Sequence, residues 1–138
     1  MRLITSLIAA VALASGASAA TSTAQQRADA RADARMAKLL EGRVAGKPVD
    51  CISLRSIEST EIVDNTAIVY REIGDTIYVN QTDDPGNLDR DDILVSKPWG
   101  SRLCSLDLVR LLDSSTRFTH GAVSLRKFVP YTRVARRG

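Results

Sequence analysis

The stretch from Ile62 to Asn80, Ile-Val-Asp-Asn-Thr-Ala-Ile-Val-Tyr-Arg-Glu-Ile-Gly-Asp-Thr-Ile-Tyr-Val-Asn, constrains the fold more than any other. It is dense in β-branched and aromatic residues, which suit a pleated, half-buried surface. Asp64-Asn65 and Gly74-Asp75 interrupt it. Asn, Asp and Gly accept the positive φ that tight hairpins need. The stretch therefore predicts the middle of a β-meander. Thr66 to Ile73 and Thr76 to Asn80 are its strands, joined by a two-residue Gly74-Asp75 turn. That turn sets Ile73 opposite Thr76 and Arg71 opposite Tyr78. On the last strand Ile77 and Val79 share one face, and Thr76, Tyr78 and Asn80 share the other.

Further strands are expected at Val49 to Ser56, Ile57 to Val63, Asp92 to Ser96 (near a sheet edge) and Ala122 to Tyr131. Leu103 to Leu112 is apolar with its alternation broken near Ser105. It reads as a bulged strand or as a short helix. Short strands separated by turn signals predict a mainly β fold, a small antiparallel barrel or sandwich with one N-terminal helix.

That helix is Arg27 to Glu41. Alanine, the best helix former, stands at 28, 30, 32, 34 and 37. The repeat stacks Arg27, Arg31 and Arg35 on one face and Asp29 with Asp33 on another. Like charges four apart repel weakly, so alanine supports the helix. Met36, Leu39 and Leu40 form an apolar patch suited to docking on the β-domain. Thr21 to Gln26 reads as loose, and Gly42 to Pro48 as a connector.

The length of 138 residues points to one domain. Residues 1–20 read as a signal peptide. Arg2 supplies the charge, Leu3 to Leu13 the apolar run, and Ala17-Ser18-Ala19 the small-residue cleavage pattern. Cleavage near Ala19 or Ala20 leaves about 118 residues with no transmembrane segment expected. The remaining regions are 21–47 (Ala/Arg/Asp-rich helix and connector), 48–132 (β-domain) and 133–138 (basic tail). The expected compartment is periplasmic or extracellular. The only cysteines are Cys51 and Cys104. An even count in an oxidising compartment predicts one disulfide between them, with two buried thiols as the alternative.

No catalytic, metal or cofactor set follows from the residues. His120, the lone histidine, lies near Asp113, Ser114 and Ser115, but no nucleophile elbow accompanies it, and an exposed loop histidine is the plain reading. Asp83, Asp84, Asp89, Asp91 and Asp92 offer oxygen ligands, yet their order does not match an EF-hand and Arg90 sits among them. They read as a solvated turn. Asn80-Gln81-Thr82 fits a glycosylation sequon. Trp99, between Pro98 and Gly100, is expected to lid one end of the sheet, with an exposed anchor as the alternative. Phe128 reads as a core or rim residue. Arg126, Lys127, Arg133, Arg136 and Arg137 carry positive charge with no acid between 126 and 138. Such an end either is solvated or contacts an anionic surface. No nucleic-acid partner is expected for an exported chain.

Several motifs resemble those of small exported proteins of unknown function from sphingomonad-type alphaproteobacteria. They are Gly42-Arg-Val-Ala-Gly-Lys-Pro-Val-Asp-Cys-Ile-Ser-Leu54, Thr66-Ala-Ile-Val-Tyr-Arg71, Thr76-Ile-Tyr-Val-Asn80, Leu103-Cys104 and Phe128-Val-Pro-Tyr131. The resemblance spans roughly Leu40 to Thr132 and implies a cell-envelope protein of Gram-negative bacteria. It brings no activity, cofactor or catalytic residue.

The leading expectation is a periplasmic β-domain acting as a binding or interaction module, its partner an envelope protein met through a sheet face or edge. The alternative is association with an anionic envelope lipid surface through Arg126, Lys127, Arg133, Arg136 and Arg137. A hydrolase is the third reading. It requires a concave pocket holding His120 or the acidic cluster, with a further polar group converging on it.

Overall fold

Every side chain from Ala67 to Tyr70 is buried. Alternate residues of a strand point to opposite faces, so this strand must be covered on both. The computed structural model describes residues 17–135. Its elements in chain order are helix α1 (Ala17–Leu39) and ten strands: β1 (Arg43–Ala45), β2 (Cys51–Ser53), β3 (Ile57–Val63), β4 (Ala67–Glu72), β5 (Ile77–Asn80), β6 (Asp92–Ser96), β7 (Arg102–Cys104), β8 (Leu108–Asp113), β9 (Thr119–Ser124) and β10 (Val129–Arg133).

Three antiparallel sheets form, in the orders β1-β10-β5-β4-β3, β2-β7 and β6-β8-β9. They stack as a sandwich and do not close into a barrel. One core lies between the five-stranded sheet and the two smaller ones. Ile62, Ile68 and Tyr70 meet Ile52, Leu103, Val109, Leu111, Val123 and Phe128 there. Tyr70 and Phe128 pack edge to face, with ring centroids 5.7 Å apart and planes at 66°, the arrangement that aligns a positive ring edge with a negative face. A second core covers the other side of the five-stranded sheet. Val63, Ala67, Val69, Ile77 and Val79 meet Ala32 and Leu39 of α1, with Met36, Leu40 and Tyr131 beside them.

The meander is present with a different register. Arg71 pairs with Ile77 and Tyr70 with Tyr78, and the Glu72 N–H donates to the Thr76 carbonyl at 2.8 Å. The loop is therefore Ile73-Gly74-Asp75, with φ of 97° at Gly74 and 79° at Asp75. The expected pairing would have set Tyr78 beside Arg71. The observed one joins Val69 to Val79 on one face and the two tyrosines on the other, burying both faces of β4. Similarly, Val63 pairs with Ala67, so the preceding loop is Asp64-Asn65-Thr66.

The Leu103–Leu112 run is two strands, β7 and β8, separated by a turn in which Leu106 has φ 73°. The Asp107 carboxylate accepts the Cys104 N–H at 2.7 Å and holds that turn. The expected last strand is likewise two, β9 and β10, split at Arg126-Lys127. Strand β1 falls inside the stretch read as a connector, and Arg133, assigned to the tail, ends β10 opposite Arg43. Helix α1 begins at Ala17, so Thr21 to Gln26 is helical rather than loose. The signal-peptide reading falls mostly on residues 1–16, outside the described residues. Among the described residues no helix is long and apolar enough to cross a membrane.

Candidate functional site

Strands β3 and β6 are each an edge strand of their sheet, and residues of both line one hollow. It has a volume of about 900 Å³. Its lining shows how it is built. Consecutive residues of β3, Thr60, Glu61, Ile62 and Val63, border it. A hollow touched by consecutive residues meets a strand's edge rather than one face. From β6 it touches the alternate residues Asp92, Leu94 and Ser96, one face only. From α1 it touches Ala28, Arg31, Ala32 and Arg35, a stripe at helical spacing. The hollow is thus a slot alongside β3, walled by α1 on one side and by the smaller sheets on the other.

The floor is apolar: Ile62, Tyr70, Leu94, Leu103 and Val109 reach it from the first core. Tyr70 is 4% exposed, and burial raises the pKa of its hydroxyl, with no hydrogen bond contributing. The rim is charged. Arg35 donates to Glu61 through Nε at 2.5 Å and Nη2 at 2.8 Å, tying α1 to β3. Arg90 lies 3.5 Å from Asp64. Arg31 has no ion pair among the described residues. The alanines at 28 and 32 were visible in the sequence, but not that they would line a slot beside a sheet edge.

A second, smaller hollow of about 460 Å³ holds His120 with Asp89, Asp91, Asp92, Asp113, Ser114 and Ser115. His120 is not in a loop. It lies in β9 where the ladder slips, Leu111 pairing with Gly121 and Leu112 with Thr119. The bulge leaves His120 unpaired and turns its ring across β8, so Nε2 reaches Asp92 Oδ1 of β6 at 2.7 Å. The hollow asked for by the hydrolase reading therefore exists, but its parts are otherwise engaged. Asp113 Oδ1 accepts the N–H groups of Ser115 and Thr116 at 2.9 and 2.7 Å and the Thr116 hydroxyl at 3.0 Å. Those bonds, the Thr116 N–H first, lower the Asp113 pKa. Among the described residues no serine hydroxyl bonds to His120, so nothing links a nucleophile to a base. Nor do three or more His, Cys, Asp or Glu side chains converge as metal ligands there.

Cys51 and Cys104 are register partners in β2 and β7 and are joined in a disulfide. Of the basic residues expected to act together, the described ones are engaged or placed separately. Arg133 bonds to Asp75, Lys127 lies 3.5 Å from Asp50, and Arg126 is exposed. Arg126-Lys127 and Arg133 flank β10, roughly 20 Å apart along an extended strand. Arg136 and Arg137 lie outside the described residues. Trp99 is 94% exposed rather than a lid; it sits on the β6–β7 connection, beside Gly100 at φ 72°. Asn80 is fully buried and unsuited to glycosylation. Its side chain pairs with the Arg126 backbone, donating to the carbonyl at 2.6 Å and accepting the N–H at 3.0 Å.

Comparison of the chain with protein-family models, with curated proteins and with solved structures finds no match.

Proposed function

We propose that the protein is a binding module of the bacterial envelope that holds its partner in the slot between β3 and β6. One observation carries the reading. The slot combines an apolar floor with a charged rim and the backbone edge of β3, on a scaffold held by two cores and a disulfide. Concave, mostly apolar sites with few polar groups are where proteins take ligands. A disulfide is compatible with an oxidising compartment. Periplasmic placement after cleavage near Ala19 or Ala20, and kinship with the sphingomonad exported proteins, are supported by the sequence motifs described above.

The test is titration of the mature protein with an apolar fluorescent probe, anilinonaphthalene sulfonate. Saturable binding is expected. It should be lost in Leu94→Glu, which places a charge on the partly exposed floor residue of β6, while circular dichroism stays unchanged. Equal binding by a folded Leu94→Glu variant rejects the slot as the site.

A further inference from the structure

The slot has the shape of a missing strand. The five-stranded sheet ends at β3, which pairs with β4 through Ser59 to Val63 and leaves its other edge toward the slot. Edge strands left flat are templates for a further strand, and proteins blunt them with bulges, charges or covers. Here the one bulge lies at one end of the strand, and farther along the Arg35–Glu61 ion pair ties α1 to β3 through side chains rather than through the β3 backbone edge. The ladder slips at Glu58, between the Ile57–Glu72 and Ser59–Arg71 pairs. Beyond it, Thr60 to Val63 runs in unbroken register, and this is the part that borders the slot.

A strand laid beside it would have both faces covered. Ile62 belongs to the core between the sheets, whereas Val63 packs with α1. Side chains opposite Thr60 and Ile62 would therefore enter the sandwich against Tyr70, Leu94 and Val109. Those opposite Glu61 and Val63 would meet α1. There the small side chains of Ala28 and Ala32 line the slot, the charge of Glu61 is already taken up by Arg35, and Arg31 presents a guanidinium without a carboxylate partner among the described residues. We infer that the slot takes an extended peptide as an added strand on β3, apolar side chains facing the sandwich and acidic ones facing α1. This deepens the proposed function and rests on the slot being the binding site. Main-chain pairing supplies affinity in such complexes, and alternate side-chain pockets supply specificity.

The experiment uses the mature protein and blocked peptides of about eight residues, long enough to span a typical strand. One alternates Val and Glu, one alternates Val and Lys, and one is the Val/Glu peptide N-methylated at alternate residues. The Val/Glu peptide should bind, displace anilinonaphthalene sulfonate and protect amides within Thr60 to Val63 from hydrogen exchange. N-methylation should weaken binding about tenfold or more, the scale of one or two lost hydrogen bonds. Arg31→Glu should move the preference from the Glu peptide toward the Lys peptide. Equal affinity of the N-methylated peptide, or no protection in β3, overturns strand addition while probe binding keeps the slot as a site. A dimeric protein by sedimentation that excludes every peptide also overturns it, because a second copy then occupies the edge. Failure of the probe and of all peptides rejects the binding-module reading itself.

Discussion

Arg35 and Glu61 join α1 to the edge strand β3 by a two-pronged ion pair, Nε–Oε1 at 2.5 Å and Nη2–Oε2 at 2.8 Å. The pair stands at the mouth of the slot, so it positions the helical wall there. Both side chains are more than a third exposed, and such pairs contribute at most about 1 kcal/mol to global stability. Arg35→Ala should therefore lower the melting temperature only slightly. Its visible effect should be faster amide exchange in α1 ahead of Leu39, measured by hydrogen-exchange mass spectrometry. Unchanged exchange would mean that the apolar contacts of Ala32 and Leu39 fix the helix alone.

Cys51 and Cys104 close a loop with a sequence separation of 53. The chain-entropy account assigns a loop of that size roughly 4 kcal/mol. Replacing both cysteines by serine should lower the unfolding free energy by about that amount in urea titrations. A reductant should destabilise the wild type and leave the variant unaffected.

Arg43 is the most deeply placed charge partner in the ladder, with 2% of its side chain exposed. It pairs across β1–β10 with Arg133, and Asp75 at the β4–β5 hairpin tip answers both guanidiniums. Hydrogen bonds from Arg43 first, then Arg133, hold the Asp75 pKa below its ordinary 3.8. A depressed carboxylate adds stability that is fully present above its unfolded pKa and is lost as pH falls through the folded one. The protein should therefore lose stability in acid, from about pH 4 downward. Asp75→Asn should be destabilised at neutral pH and should show a flatter acid limb. Thermal melts across pH 2 to 7 would read this, and parallel acid limbs would contradict it.

Asn80 replaces a missing stretch of ladder by bonding both polar ends of its amide to the Arg126 backbone. Asn80→Ala removes two hydrogen bonds to the Arg126 backbone, at a cost of about 1–3 kcal/mol. A smaller loss in equilibrium unfolding would mean that water reaches Arg126. The folded protein should also carry no glycan at the Asn80-Gln81-Thr82 sequon when expressed in a glycosylating host, as read by intact mass.

Tyr70 is buried, and its hydroxyl finds no partner among the described residues. Tyr70→Phe removes a polar group that the fold does not use. Stability should stay within about 0.5 kcal/mol of wild type or rise. Peptide binding in the slot should be kept by the same change, because the side chains that meet Tyr70 there are apolar, and calorimetry checks it.

Local patterning alone located much of the fold. Ile57–Val63 and Asp92–Ser96 are strands with the expected bounds, Ile77 and Val79 do face one way, and the Met36, Leu39 and Leu40 patch does dock. These features follow from alternation and helical spacing, which act within a few residues. The disulfide was legible because the chain holds only two cysteines. Hairpin registers were not, because Gly74-Asp75 suits a two-residue or a three-residue loop, and burial of both faces of β4 chose between them. The slot was hidden for a deeper reason. Its walls come from residues 28–35, 60–64 and 92–96, and nothing local encodes that α1 crosses the sheet where β3 is left unpaired. Likewise Asp75 reads as a turn residue and Arg133 as tail until β1 and β10 pair beside them. Short-range periodicity determined which segments are strands and which side of each is apolar. Only the packing of distant segments decided which edge stays open, because that depends on contacts formed after the chain has folded back on itself.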